Sequence, residues 1–318
     1  MNYKFPRVVL STVIVTGSLL LGGCAGKGFN LPQLGGLNGM GDVGGMFGTG
    51  GVGSFASSAE SYLSAGSKLF RAASGLTEEQ EYYLGRGVAA TIFAKYRPYQ
   101  NATVNQYLNK VAAVLVARSD RPEIFGGYHV QAVQSPEINA MAAPGGFIFI
   151  TTGFLKRIPN EEALAGVIAH EIAHIVNGHG TAAISQANLT EALVIIGQEQ
   201  VKSGSNAELA QLTNLFGESI NDVATTLMTS GYSRRQEYAA DEYAAELLVK
   251  AGYNPKGLEQ MLLATKSATG EGGWLSTHPS ADNRIEELQD EGLLKADGIN
   301  GEAARTARYR AALSPLRG

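Results

Sequence analysis

The sequence predicts an α+β protein that is mainly helical and contains one small β-sheet. Apolar residues recur at helical spacing both before and after a short β-rich part of the chain. That part holds an alternating segment at 128–133 and a β-rich run at 146–152 bordered by glycines, which we expect to pair. The segments with helical periodicity are 78–96, 104–117, 184–200, 207–228, 236–250, 255–267 and 281–294.

Composition places the chain among globular proteins. Of its 318 residues 44% are hydrophobic and 17% are charged, which is close to average usage and indicates neither wholesale disorder nor a membrane protein with many spans. The net charge at pH 7 is −4, so the surface has no basic surplus and we expect no nucleic-acid partner.

The N-terminus has the features of a bacterial export signal. Lys4 and Arg7 precede an apolar run at 8–21, which is short for a membrane span and suited to a signal peptide at 1–23. Small residues then lead to Cys24, the only cysteine, in a pattern that resembles the lipobox of bacterial lipoproteins. We therefore predict lipidation of Cys24; a free or buried thiol is the alternative.

The residue after the cysteine indicates where such a lipoprotein resides. Ala25 in place of aspartate is, by resemblance to Gram-negative lipoproteins, typical of export to the outer membrane with the protein facing the periplasm. Retention at the inner membrane is the alternative. The following Gly-rich segment, 24–76, is predicted to be a flexible tether, with a globular domain at 77–295 and a helical tail at 296–318.

A central helix is predicted to begin after Asn160. Asn160 is a suitable N-cap, and Glu161 and Glu162 place negative charge at the positive end of the helix dipole. The stretch 163–169 that follows is small and apolar on nearly every side. Such a helix is expected to be buried in the middle of the domain.

This helix carries a pattern that binds metal ions. His170 and His174 are four residues apart and therefore lie on one face, where both imidazoles can bind one Zn²⁺. Glu171 is turned by about 100° from His170, which keeps its carboxylate off the metal but within reach of a water molecule bound there. The pattern predicts zinc-activated water as the nucleophile and Glu171 as its general base, the chemistry of peptide hydrolysis.

Glu237 is the predicted third ligand. Glu237 and Asp241 lie four apart on one helical face with alanines between them, and Asp241 can accept the ring N–H of a ligating histidine. An exposed acidic face is the alternative interpretation of this pair. His179 is a weaker candidate, because it follows Gly178 and we expect its ring to point away from the metal helix.

Four motifs together resemble the HtpX, Oma and CAAX-prenyl-protease-type family of gluzincin zinc peptidases. They are the segment 139–146, the histidine helix, the Glu237-x-x-x-Asp241 pair, and Thr277-His278-Pro279-Ser280 with Arg284 beyond it. The resemblance covers about residues 78 to 290. It implies a gluzincin-like zinc metallopeptidase domain at 77–295, with the small sheet beside the active-site helix.

The resemblance also implies roles for further residues. His278 and Arg284 are expected near the cleft, and His278 either stabilises the oxyanion or binds zinc as a fourth ligand that keeps the enzyme latent. Gluzincins bind extended substrate along an edge strand, and our candidate for that strand is Phe147, Ile148, Phe149, Ile150 and Thr151. A plain core strand is the alternative for this segment.

No membrane span is predicted beyond the signal peptide. In this respect the sequence resembles the soluble periplasmic lipoprotein branch of the family, which includes LoiP and BepA. Unlike BepA, the sequence shows no long C-terminal repeat domain. The resemblance implies an endopeptidase whose substrates are unfolded or misassembled envelope proteins, such as outer-membrane proteins. The alternative is a zinc-stabilised assembly factor for outer-membrane proteins that cleaves nothing.

Overall fold

The computed structural model describes residues 76–183, 217–266, 274–278, 280–295 and 299–316. All of them belong to one compact unit, Gly53–Gly318. The predicted signal peptide, Cys24, the predicted tether up to residue 75 and the predicted helix 184–200 lie outside the described residues. The α-helices are α1 Glu78–Lys95, α2 Ala102–Val116, α3 Thr152–Arg157, α4 Glu161–Val176, α5 His179–Ala182, α6 Gly217–Thr225, α7 Arg234–Lys250, α8 Lys256–Thr265, α9 Trp274–Thr277, α10 Ala281–Asp290 and α11 Glu302–Ala312.

Local capping explains where the helices begin. Thr77 and Gln80 form a capping box at the start of α1, and Ser233 and Gln236 form another at the start of α7. The side chain of Asn160 accepts a hydrogen bond from the backbone N–H of Ala163, so the predicted N-cap of α4 is confirmed.

One helix departs from its predicted course. The described part of the segment 207–228 is α-helical only to Thr225 and continues as a π-helix over Thr226–Ser230. This π-helix packs against strand β3 and against α9, a short helix that the sequence did not predict. None of the helices in the described part of the chain is long and apolar enough to cross a membrane.

Four strands form the sheet: β1 Arg97–Pro98, β2 His129–Gln134, β3 Ala140–Ala143 and β4 Phe147–Thr151. Their order is β1-β2-β4-β3. β2 and β4 are parallel, with His129 opposite Phe147, so the predicted pairing of the two β-rich segments is confirmed. β3 and β4 are antiparallel and are joined by a tight turn over Pro144–Gly146.

The prediction that Phe147–Thr151 is an edge strand is wrong. β4 lies inside the sheet, and its backbone hydrogen bonds are used by β2 on one side and β3 on the other. The outer position belongs to β3, whose side chains are alanine and methionine. Local composition favoured β4 because its residues have high β-propensity, whereas strand order depends on contacts distant in sequence.

α4 is the centre of the domain, and each of its sixteen residues is buried. It packs against β3, α2, α7, α8 and α11. The crossing with α8 is especially close because a glycine stands on each helix. A Cβ at Gly166 would lie 2.9 Å from the carbonyl oxygen of Gly257, and a Cβ at Gly257 would lie 2.2 Å from that of Glu162.

We expect Gly257→Ala to destabilise the protein by about 1–3 kcal/mol, because the added methyl group collides with rigid backbone. This loss outweighs the gain of about 1 kcal/mol that alanine brings inside a helix. Urea unfolding measures the difference. Gly217→Ala is the matched control, since a Cβ there has no described atom within 4 Å. Equal unfolding midpoints for the two variants would contradict the close crossing.

The N-terminus of α4 is held by α11. Glu161 and Glu162 are buried, and they form ion pairs with Arg308 and Arg305 respectively. The hydroxyl of Tyr253 also donates a hydrogen bond to Glu161, at 3.0 Å. The acidic residues predicted to face the helix dipole therefore also connect the last α-helix of the described chain to the central one.

Candidate metal centre

The two histidines of α4 face each other across one helical turn. Nε2 of His170 and Nε2 of His174 are 3.0 Å apart, and both side chains are buried. Glu171, between them in sequence, is also buried, and no described residue donates a hydrogen bond to its Oε1. The helix thus places two imidazole nitrogens and one carboxylate close together.

α7 crosses α4 and brings Glu237 to the histidine pair. The Glu237 carboxylate oxygens are 3.5 Å from Nε2 of His170 and 3.5 Å from Nε2 of His174. Ala240 on α7 is fully buried, and α7 packs directly against α4. The two helices that the sequence spacing predicts to meet therefore do meet, with Glu237 beside both rings.

His278 closes the group from the end of α9. Its Nδ1 lies 2.7 Å from Oε2 of Glu237. One ligand atom from each of His170, His174, Glu237 and His278 lies within 4.8 Å of the others, and among the described residues this is the cluster that could hold a metal ion.

The four side chains fit a small divalent cation. Atoms about 2 Å from a tetrahedral ion are about 3.3 Å from one another, close to the 3.0 and 3.5 Å found here. Within the described part of the chain, Oε1 of Glu237 accepts no hydrogen bond although it is buried, which is costly unless a cation is bound there. Nitrogen and carboxylate donors of this kind suit zinc.

Asp241 and Arg284 support the centre from behind. Asp241 is 3.0 Å from Nδ1 of His170, the position from which a carboxylate orients a ligating ring. Arg284 is fully buried and donates to both oxygens of Asp241 at 2.6 Å, and its Nη1 lies 3.1 Å from Glu237. Arg284 therefore pairs with both carboxylates, and it is not among the residues that line the small cavity containing Glu171.

The surroundings of Glu171 and Glu237 give the two carboxylates different pKa values. Burial raises the pKa of Glu171 to about 7; His170 opposes this rise and Glu237 adds to it. Burial also acts to raise the pKa of Glu237, but the interactions of its carboxylate with His278 and Arg284 hold that pKa well below its usual range. Glu171 is thus suited to exchange a proton near neutrality, and Glu237 stays ionised.

The pKa values of the imidazoles also differ from one another. Burial lowers the pKa of His174 well below its usual range and that of His179 to about 4. Burial and Arg284 also act to lower the pKa of His170, but hydrogen bonds to Asp241 and Glu237 outweigh them and raise it to about 9. Burial lowers the pKa of His278, against the attraction of Glu237.

His179 is not one of the four clustered residues, but its ring lies against His174, a contact that helical projection did not predict. Gly178 has φ 69°, which turns the chain at the end of α4 and returns the next side chain towards it. Nδ1 of His179 lies 2.8 Å from Nδ1 of His174, on the edge of the ring opposite the metal cluster. The angle expected for a continuing helix does not apply beyond such a turn.

Two aromatic residues of the centre had no signal in the sequence. The ring of Tyr232 stacks on His174, with centroids 4.3 Å apart. The ring of Trp274 stacks on His278, with centroids 3.8 Å apart, and lies 5.8 Å from that of His170. The contacts of Tyr232 with His174 and of Trp274 with His170 join parts of the chain that are distant in sequence, so no local pattern predicts them.

A small cavity reaches the reactive side of the cluster. Its lining includes β3, Glu171, Leu227, Tyr232 and His278. β3, and not β4, is therefore the strand that borders the centre. His129 lies at the start of β2, stacked on Phe147 and not part of the cluster.

The known proteins that this chain resembles include metalloendopeptidases. The sequence profile of peptidase family M48 matches residues 98–292. The chain is 26% identical over 188 residues to mitochondrial metalloendopeptidase OMA1 of Schizosaccharomyces pombe, covering 58% of this chain and 52% of that protein. It is 31% identical over 166 residues to human mitochondrial metalloendopeptidase OMA1, covering 50% and 31%.

A bacterial relative matches a longer part of the chain. The beta-barrel assembly-enhancing protease of Escherichia coli K12 is 23% identical over 244 residues, covering 74% of this chain and 48% of that protein. The chain spans about half, or less, of the length of these relatives.

Proposed function

The chain belongs to peptidase family M48, whose members are metal-dependent, and on this premise we propose that it is a zinc metalloendopeptidase that cleaves unfolded or misassembled proteins of the cell envelope. One observation carries the proposal. His170, His174 and Glu237 converge on one point, and the buried carboxylate of Glu171 stands beside them without a hydrogen bond from the described residues to its Oε1.

Each residue has a distinct task in this proposal. His170, His174 and Glu237 hold the ion, and Asp241 orients the ring of His170 through Nδ1. Zinc, when bound, acts as a Lewis acid that makes a water molecule nucleophilic at neutral pH and polarises the scissile carbonyl. Glu171 removes a proton from the attacking water at Oε1 and later gives it to the leaving amine.

The substrate is an extended polypeptide. β3 is the strand beside the centre, and pairing of a peptide with its backbone would give affinity with little demand on the substrate's side chains. The π-helix Thr226–Ser230 packs against β3, so a substrate has to share or displace that contact.

The place of action is proposed from the sequence and from one relative. The features around Cys24 support a lipid anchor, and Ala25 supports the outer membrane with the catalytic domain in the periplasm. The name of the bacterial relative, a beta-barrel assembly-enhancing protease, supports outer-membrane proteins as the substrate class.

Metal removal tests the proposal directly. The purified full-length protein is expected to contain about one zinc ion per chain by elemental analysis. It should cleave a reduced, carboxymethylated casein; 1,10-phenanthroline should abolish cleavage and zinc should restore it. The isomer 1,7-phenanthroline, which does not chelate, is the control. Protein free of metal, or cleavage that survives chelation, would refute the proposal.

A further inference from the structure

The two histidines proposed as ligands differ in what contacts the other side of each ring. Nδ1 of His170 meets the carboxylate of Asp241 at 3.0 Å, which is the usual type of partner for a ligating imidazole. Nδ1 of His174 meets another imidazole, that of His179, at 2.8 Å. His179 is also buried, with 8% of its surface exposed.

The tautomer of His174 follows from its place in the cluster. Its Nε2 faces His170 and Glu237, at 3.0 and 3.5 Å. A neutral imidazole that offers the lone pair of Nε2 to a metal carries its proton on Nδ1. That N–H is buried, and a buried donor left without an acceptor costs about 1–3 kcal/mol.

His179 supplies the acceptor for this N–H. We propose that His179 is a positioning residue, whose Nδ1 accepts the Nδ1–H of His174 and so fixes the tautomer and the ring orientation in which Nε2 of His174 faces the metal. This inference rests on the metal centre of the proposed function. It assigns to His179 a proton on Nε2 and none on Nδ1.

The surroundings of the two rings favour a single geometry. Tyr232 stacks on one face of His174 at 4.3 Å, which restricts rotation of that ring. Gly178, with φ 69°, fixes the turn that presents His179. A flexible surface histidine would not make this contact reproducibly, whereas this one is held by the turn and by burial.

A pair of substitutions separates positioning from simple packing. His179→Leu removes the acceptor while filling the space, and we expect it to raise the zinc dissociation constant by about 10–100-fold. His179→Asn places an amide oxygen where Nδ1 stood, and it should recover most of that loss. His129→Leu, at an exposed histidine outside the cluster, is the matched control and should leave zinc affinity unchanged.

The measurement is competition for Zn²⁺ between the full-length protein and a chromophoric chelator. Equal affinity of His179→Leu and wild type would overturn the inference. So would equal losses for the leucine and asparagine variants, because they would indicate packing alone. His170→Ala in the same titration tests the proposed function separately: if it binds zinc as wild type does, the metal centre itself is wrong.

Imidazole ¹⁵N NMR on the unmodified protein needs no variant to fold. The chain has five histidines, so selective labelling gives a spectrum that can be assigned. In the zinc-loaded protein we expect His174 to carry its proton on Nδ1 and His179 to carry its proton on Nε2. A proton on Nδ1 of His179, in either a neutral or a charged ring, would overturn the inference.

Discussion

Glu171→Gln is expected to abolish peptide-bond cleavage while zinc binding and folding persist. The amide has nearly the shape of the carboxylate but cannot accept a proton, so the attacking water loses its general base. Loss of such a group costs about 10²–10⁴-fold in rate. Glutamine is also neutral, and the buried position, with 1% of its surface exposed, tolerates a neutral side chain at least as well as a charged one.

The assay compares the rates at which casein is cleaved by wild type and Glu171→Gln, with zinc content measured on the same samples. Glu79→Gln, in the exposed first turn of α1, is the control for the chemical change and should cleave at the wild-type rate. The same experiment distinguishes the peptidase from an assembly factor that cleaves nothing. Unchanged promotion of outer-membrane protein assembly by Glu171→Gln, together with no cleavage by wild type, would favour the assembly factor.

Arg284→Met is expected to lower the free energy of unfolding more than Gly257→Ala does. Arg284 is fully buried and contacts both Asp241 and Glu237, so its removal deprives two buried carboxylates of the guanidinium that pairs with them. Breaking a buried ion pair by deleting one partner costs about 3–5 kcal/mol. Arg284→Lys keeps the charge but loses the paired hydrogen bonds to Asp241, and it should fall between wild type and Arg284→Met.

Urea unfolding of the metal-free protein measures this effect apart from metal binding. Lys266→Met is the matched control. Lys266, at the end of α8, forms an exposed ion pair with Asp282, which lies on α10 as Arg284 does. Exposed pairs contribute about 0–1 kcal/mol, so its midpoint should barely move. A loss for Arg284→Met no larger than that of Lys266→Met would show that the buried network contributes little to stability.

The sequence predicts the features of this protein that depend on neighbouring residues. The start of α4 follows from Asn160, and the common face of His170 and His174 follows from helical spacing. The position of Glu237 beside them was inferred from its own spacing to Asp241 and from the missing third ligand. The roles assigned to these residues stay predictions until metal and activity are measured.

The features that the sequence does not predict depend on distant contacts or on a change of chain direction. The order of the sheet leaves β4 inside and β3 outside, although β4 has the stronger strand composition. The turn at Gly178 brings the ring of His179 back to His174. Projection along a continuous helix places that ring on a different side of the helix. Tyr232 reaches His174 from a part of the chain that carries no motif.

Trp274 gives the protein an intrinsic fluorescent probe. It is the only tryptophan in the chain, and its buried ring stacks at 3.8 Å on His278 while contacting the guanidinium of Arg284. A protonated imidazole in contact with an indole quenches its emission. A change in the position or charge of His278 should therefore alter the emission of the unlabelled protein, which makes the centre observable in real time during stopped-flow mixing.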